Sequence, residues 1–358
     1  MLRWIPVPSR VRRLRAICLK RLRAWREEWQ IRRRIEDSAA PVIERLGVIK
    51  SNLPTGVKLT GILLTEHFGD IVACEPVIPW LRSQHSADFL VWLTRPDYSG
   101  LLKQHPVLDA VMDVGSISVC GEIIRSGVLD RVVDLHLHRK PCTVFGRYHI
   151  KRTGNPDIDT ENYYHHGTLL EAMSVGAGLP RLDGQPHLVL PVEARKKIDS
   201  LGIPSGVVVI HARSNEQARN WDCARWNELA EKLVSQIGLK VVEIGFDPVL
   251  IANRKGVMNL CGQLSLIETA ETVRRAAYFF GIDSGPAHFA NAFEIPSVIL
   301  LGRYRDFHRY MPYSGFLRNH ADPMIIQCEG PAAEITVAEV LRRFESVRGF
   351  VPTVQDTP

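Results

Sequence analysis

The chain has 358 residues, 45% of them hydrophobic, enough to bury two cores and so to form two domains. Its formal charge of +6 is uneven: residues 1–36 hold twelve Lys/Arg against three Glu, so the remainder is slightly acidic and lacks the basic stripe of a nucleic-acid-binding body. Seven cysteines without C-x-x-C spacing suggest no zinc knuckle and no disulfide framework, which points to a reducing, cytoplasmic setting; no apolar run nears the ~20 residues of a membrane span, and the basic N-terminus lacks the apolar core of a signal peptide.

The N-terminal arm is strongly periodic. Val11, Leu14, Cys18, Leu22, Trp25 and Trp29 recur at steps of three and four, while Arg12, Arg13, Arg15, Lys20, Arg21, Arg23 and Arg26 lie largely off that stripe. A tryptophan-bearing apolar stripe flanked by arginines suits a helix over residues 9–32 lying in an anionic membrane surface. A helix packing Trp25 and Trp29 onto the body of the protein fits the same pattern. Residues 1–56 are read as this arm plus a helical connection, Asp37–Gly56.

A first α/β domain, residues 57–190, opens with the apolar strand Leu59–Leu64. The turn Thr65-Glu66-His67-Phe68-Gly69-Asp70 follows, then a helix with Ile71, Cys74, Ile78 and Leu81 on one side. Strand Phe89–Leu93, helix Ser99–Gln104 and strand Val132–Leu135 continue the alternation expected of a parallel sheet. Pro141–His166 is irregular, Tyr163–Gly176 reads as a helix, and Leu179–Pro191 as a Pro- and Gly-punctuated linker. The second domain, residues 191–358, repeats the alternation: strand Val207–Ile210, helix Cys223–Ile237, strand Lys240–Ile244, and a helix capped by the box Ser265-x-x-Glu268.

The densest information lies in Phe280–Gly302, F-G-I-D-S-G-P-A-H-F-A-N-A-F-E-I-P-S-V-I-L-L-G. It reads as strand, tight turn, helix, strand. A helix N-terminus preceded by Ser284-Gly285 offers free backbone N–H groups to an anion such as phosphate; Asp283 or Ser284 as an ordinary N-cap is the simpler alternative.

D-S-G-x-x-H followed by A-x-A and a Pro-led strand ending in Gly resembles the C-terminal signature of glycosyltransferase family 9, the heptosyltransferase family. The Gly69-Asp70 turn after the first strand, His211 after Val207–Ile210, and Arg219-Asn220-Trp221 resemble further elements of that family. The likeness covers roughly residues 58–345, strongest at Lys58–Pro79 and Val207–Leu301. It implies the α/β GT-B fold, two Rossmann-like domains facing across a cleft, and inverting transfer of a sugar from a nucleotide-diphosphate donor. On that likeness Asp70 is the catalytic base and Glu66, His67 and Gly69 form the acceptor loop, with helix capping the alternative role of Asp70. Arg219, Asp283, Ser284, Gly285, His288 and Asp247 are the donor-binding residues, with Glu243 flanking the last of these.

No metal or other cofactor is implied: the only D-x-D triplet, Asp157-Ile158-Asp159, falls in the irregular stretch. With the basic arm, the expected partners are a nucleotide-sugar, a glycan or glycolipid acceptor and an anionic membrane surface, with the protein peripheral on the inner face of the membrane. No nucleic-acid partner is expected. Two departures stand out: His211-Ala212-Arg213-Ser214 lacks a turn glycine usual there, and Glu66-His67-Phe68 replaces Arg- and Ser-rich residues. The shared architecture leaves a nucleotide-sugar epimerase as a rival enzyme reading, and these departures leave a catalytically degenerate membrane-associated scaffold.

Overall fold

The structure is a computed structural model describing residues 9–349 apart from 204, 252 and 253, with side chains from residue 20 onward. Helix α1, Ser9–Ser51, runs 43 residues without interruption, so the arm and the connection expected as separate pieces are one helix. Pro41 lies inside it, where a proline removes one backbone hydrogen bond and strains the preceding turn. Packing offsets this: Ala39 and Leu46 are fully buried with Val91, Leu93, Cys120 and Ile123 of the first domain. Val11, Leu14 and Cys18 lie outside the described side chains, but Leu22, Trp25 and Trp29 are 61%, 67% and 48% exposed. The alternative in which the two tryptophans pack on the body is therefore not what forms.

The first sheet follows. Its elements are β1 (Leu59–Leu63), α2 (Phe68–Ala73), α3 (Val77–Gln84), β2 (Phe89–Thr94), α4 (Pro96–Ser99), β3 (Ala110–Asp113), α5 (Ile117–Ser126) and β4 (Arg131–Asp134). The strands pair in parallel in the order β3-β2-β1-β4. Every residue of β1 is buried, as a strand covered by helices on both faces must be. The helix expected at Ser99–Gln104 is instead the short α4, set by Pro96 at its first turn. A small antiparallel hairpin, β5 (Pro141–Cys142) with β6 (Arg147–Tyr148), stands in the stretch that lacked periodicity. Where one helix was expected over Tyr163–Gly176, Gly167 at φ 115 splits a single turn from α6 (Leu169–Gly176), whose start is closed by the Thr168/Glu171 capping box.

After an extended passage come α7 (Val192–Ser200), β7 (Val207–His211), α8 (Cys223–Ser235), β8 (Val241–Glu243), β9 (Val257–Asn259), α9 (Leu266–Arg274), β10 (Ala276–Ile282), α10 (Gly285–Ala292) and β11 (Ser297–Leu301). The last described elements are α11 (Gly315–Asn319), α12 (Ala321–Met324), β12 (Ile325–Gln327) and α13 (Val337–Val347). Six parallel strands lie in the order β12-β11-β10-β7-β8-β9. The sheet order reverses direction between β10 and β7, the usual ligand position in open α/β sheets, and the loop after β11 meets those after β1 and β4 around one cavity.

Candidate active site

The turn after β1 enters α2 with His67 at the N-cap. Asp70, three residues on, accepts the His67 backbone N–H at 3.1 Å through Oδ2, so the capping role open to it from sequence is filled by one oxygen. Its Oδ1 has no hydrogen-bond partner among the described residues. Asp70 belongs to a cavity of about 190 Å³ shared by both domains, lined among others by Glu66, Arg139, Lys140, Tyr304 and Arg305. Burial pushes its carboxyl up to about 6; Lys140 opposes the rise and Glu66 adds to it. A carboxylate poised there accepts a proton near neutral pH, as a general base requires.

Lys140 pairs with Glu66 at 2.6 Å, which fixes the loop expected to meet the acceptor. Two further cations of the cavity, Arg139 and Arg305, adopt left-handed backbone angles, φ 56 and 52. For non-glycine residues this costs on the order of 1–3 kcal/mol each and persists only where the surroundings impose it. Sequence reading named none of Arg139, Lys140, Tyr304 and Arg305. One signal was present: Tyr304-Arg305 follow β11 almost immediately, at the strand end where ligands bind.

Beneath the turn after β1 lies a buried polar network. Asp134 at the end of β4 receives His136 Nδ1 and His149 Nε2, each at 2.7 Å, and the Thr65 N–H donates to His136 Nε2 at 2.9 Å. Lys151 donates to the carbonyls of Asp134 and His136 at 2.6 Å each. Burial works against the Asp134 charge, but the two histidine hydrogen bonds hold its carboxyl well below the usual range. Asp134, His136 and His149 form a cluster of metal-ligand type. Their ligand atoms are already engaged with one another and with Thr65, and an ammonium sits beside them, so the arrangement suits a network that anchors the β1 turn better than it suits a cation.

Across the cleft, Arg219 is mostly buried. Its guanidinium lies 3.2 Å from Asp283 and 3.7 Å from the centroid of the Tyr304 ring, while the Tyr310 hydroxyl donates to Asp283 at 2.8 Å. Ser284 Oγ lies 2.9 Å from His211 Nδ1, and burial pushes the His211 imidazole down to about 4. Phe68 of the first domain stacks on Phe289 with centroids 5.0 Å apart, and a Cβ on Gly285 would meet the Phe68 ring at 2.1 Å. The glycine is thus required by the contact between α2 and α10, and Phe68 packs beside the helix start that the sequence left open to an anion. His288, 4% exposed, lies against Gly69 and 4.9 Å from the Tyr313 ring, its imidazole pushed down to about 4 chiefly by burial. It is packed against the first domain's Gly69, and its buried Nδ1 has no hydrogen-bond partner among the described residues. Asp247 stands apart, exposed in the loop after β8. Neighbouring Glu243 is buried and accepts from the Val249 and Leu250 backbone and from Asn259.

Residues 168–315 match the model of glycosyltransferase family 9 (heptosyltransferase), which bears out the resemblance seen in the sequence. A curated relative, lipopolysaccharide heptosyltransferase 3 of Escherichia coli, is 26% identical over 117 residues, 30% of this chain; the matched part spans 34% of that relative's length. Among solved structures, a family 9 glycosyl transferase of Veillonella parvula superposes with a TM-score of 0.62 at 18% identity, over 83% of this chain and 99% of that one. The E. coli ADP-heptose LPS heptosyltransferase II gives 0.60 at 17% identity, over 81% and 98%. The architecture is GT-B, as the resemblance implied. Among the described residues no helix is long and apolar enough to cross a membrane.

Proposed function

We propose that this chain, whose residues 168–315 carry the family 9 glycosyltransferase region, is an inverting, metal-independent transferase. It moves a sugar, heptose by likeness to its relatives, from a nucleotide-diphosphate donor to a lipid-linked or cell-surface glycan. The observation that carries the reading is Asp70: a carboxyl near neutral pH, with one free oxygen, in a cleft shared by both domains and faced by three cations. Asp70 takes the proton of the acceptor hydroxyl as that oxygen attacks the anomeric carbon. The bond from that carbon to the diphosphate oxygen breaks on the opposite face, inverting the centre. Negative charge then grows on the diphosphate, where preorganised positive groups are worth most. Arg139, Lys140 and Arg305 supply them from the cleft wall, and Arg219 with the Ser284 and Gly285 N–H groups from the second domain. Asp283 and His288 shape that half of the pocket, Asp247 meets the nucleoside, and Glu66, His67 and Gly69 present the acceptor.

The exposed Trp25 and Trp29 in an arginine-rich helix support peripheral attachment to the anionic inner face of a membrane, which brings the base to a lipid-linked acceptor. A non-catalytic binding protein is the second reading, favoured by Phe68 over Gly285 and by Asp283 already occupying Arg219. Thermal shift against ADP-, GDP- and UDP-sugars, followed by turnover with and without chelator, separates the two. A transferase is stabilised by one donor class and turns it over in chelator only with acceptor present. A protein that binds donor without turnover is the scaffold, and strict dependence on Mg²⁺ or Mn²⁺ overturns the metal-free mechanism.

A further inference from the structure

Apart from the catalytic cleft, a cavity of about 450 Å³ lies between α1, α5 and the hairpin β5–β6. Four guanidinium groups line it, Arg32, Arg125, Arg147 and Arg152, against two carboxylates, Glu28 and Glu122. Glu122 pairs with Arg125 and Glu28 with Arg147, while Arg32 turns to Glu36 at 2.8 Å. Arg152 has no carboxylate partner among the described residues and is exposed. The cations crowd one another: after burial, Arg152 and Arg32 are the neighbours that make the Arg125 charge harder to hold. Glu36, Glu122 and Glu28 offset three of these like charges; Arg152 lines the hollow without such a partner, and an anion there would relieve the remaining repulsion.

With Glu36 holding Arg32, the lining keeps one unbalanced positive charge, on Arg152; a phosphomonoester, about −1.5 to −2 at pH 7, offers three free oxygens to the several arginines where a diester offers two. Arginine forks suit phosphate oxygens bidentately. The cavity also opens where the protein is expected to meet lipid. Glu28 and Arg32 lie within one helical turn of the exposed Trp25 and Trp29, and the rim residues Tyr148 and Ile150 are 69% and 60% exposed. Tyr148 lines this cavity on one side and the Asp70 cleft on the other, so a headgroup held here sits one hairpin away from the reaction.

We infer that the cavity between α1, α5 and the β5–β6 hairpin is a binding site for a phosphomonoester, borne by a lipid headgroup or a lipid-linked glycan of the membrane on which α1 lies. The membrane source rests on the role proposed above for the arm; the recognition of phosphate does not. Both are tested with the full chain. In thermal shift, inorganic phosphate should raise the midpoint above that in chloride of equal ionic strength, and Arg125→Gln/Arg152→Gln should abolish the rise. In vesicle flotation at matched surface charge, phosphatidylcholine vesicles carrying phosphatidic acid, a monoester, should bind about tenfold or more tightly than those carrying phosphatidylserine, a diester. The double variant should lose that preference, whereas Arg21→Gln/Arg23→Gln, which removes the same charge from the exposed arm, should weaken binding to both vesicles alike and keep it. A phosphate-dependent rise without vesicle preference places the phosphate on a soluble ligand and overturns the membrane source. No rise and no preference, or a preference that survives Arg125→Gln/Arg152→Gln, overturns the site.

Discussion

Replacing Lys140 with methionine probes the electrostatics of the base directly. Burial raises the Asp70 carboxyl to about 6, and Lys140 is the largest influence holding it down, while Glu66 pushes it up. Removing the ammonium and keeping Glu66 leaves two carboxylates facing each other without their shared cation. An opposite charge at close range moves a carboxylate by ~1–3 pH units. Lys140 is 30% exposed and shared with Glu66, so the low end applies: about one unit, or ~1.4 kcal/mol. A general base works deprotonated, so kcat/KM rises with pH through the base's pKa in the free enzyme. In the wild type the acid limb should have its midpoint near pH 6; in Lys140→Met it should move up by about one unit, with the plateau reached only at higher pH. Adding Glu66→Gln removes the lowering and the raising influence together and should return the limb close to its original place, still raised because burial remains. The assay is sugar transfer measured from pH 5 to 8.5 with subsaturating donor. A limb unmoved in Lys140→Met, or moved to lower pH, would refute the assignment of Asp70 as the titrating base.

Because the Asp70 carboxyl is raised in the folded state, stability contributed by this residue is lost as pH climbs from about 4 towards 6. Asp70→Asn should therefore match the wild type in urea denaturation near pH 4 and exceed it above pH 6 by up to about 3 kcal/mol, whereas a residue whose whole task is capping α2 would show the opposite sign. Arg219→Ala leaves Asp283 buried with only the Tyr310 hydroxyl, so thermal denaturation should show a loss of about 3–5 kcal/mol beyond any loss of donor binding; an unchanged midpoint would mean the pair is not formed in solution. Trp25→Ala/Trp29→Ala should weaken binding to anionic vesicles even in high salt, since insertion of apolar surface is not screened, with the melting temperature unchanged because both rings are largely exposed.

The parts of the molecule legible in the sequence are those where local pattern and tertiary role coincide. The unit β10–turn–α10–β11 could be read residue by residue because a buried parallel strand is a continuous apolar run and a turn before a helix demands small or polar residues. The Gly69-Asp70 turn could be read the same way. What stayed hidden depends on contacts distant along the chain. Nothing in Lys140 announces that it will reach Glu66, 74 positions earlier, because the hairpin that presents it has strands of two residues and no period. Gly285 read as leaving backbone N–H groups for phosphate, and only the approach of Phe68 shows that the missing side chain also makes room for a ring. Arg219 read as a donor-binding residue, and its contacts did not show: its partner Asp283 lies in another turn, and the Tyr304 ring covering it in a third. The arm and the connection Asp37–Gly56 read as separate pieces, but buried Ala39 and Leu46 on either side of Pro41 hold one helix together through both.

The most direct test measures, with nucleotide-diphosphate heptose and a glycolipid acceptor, both donor affinity and transfer for the wild type and Asp70→Asn. The wild type should form the inverted glycoside in the presence of chelator. Asp70→Asn should bind donor within about twofold of the wild type, because the donor is proposed to sit chiefly on the second domain, yet transfer roughly 10²–10⁴ times more slowly. Transfer by Asp70→Asn at the wild-type rate would contradict the account, as would a wild-type protein that binds no nucleotide-sugar.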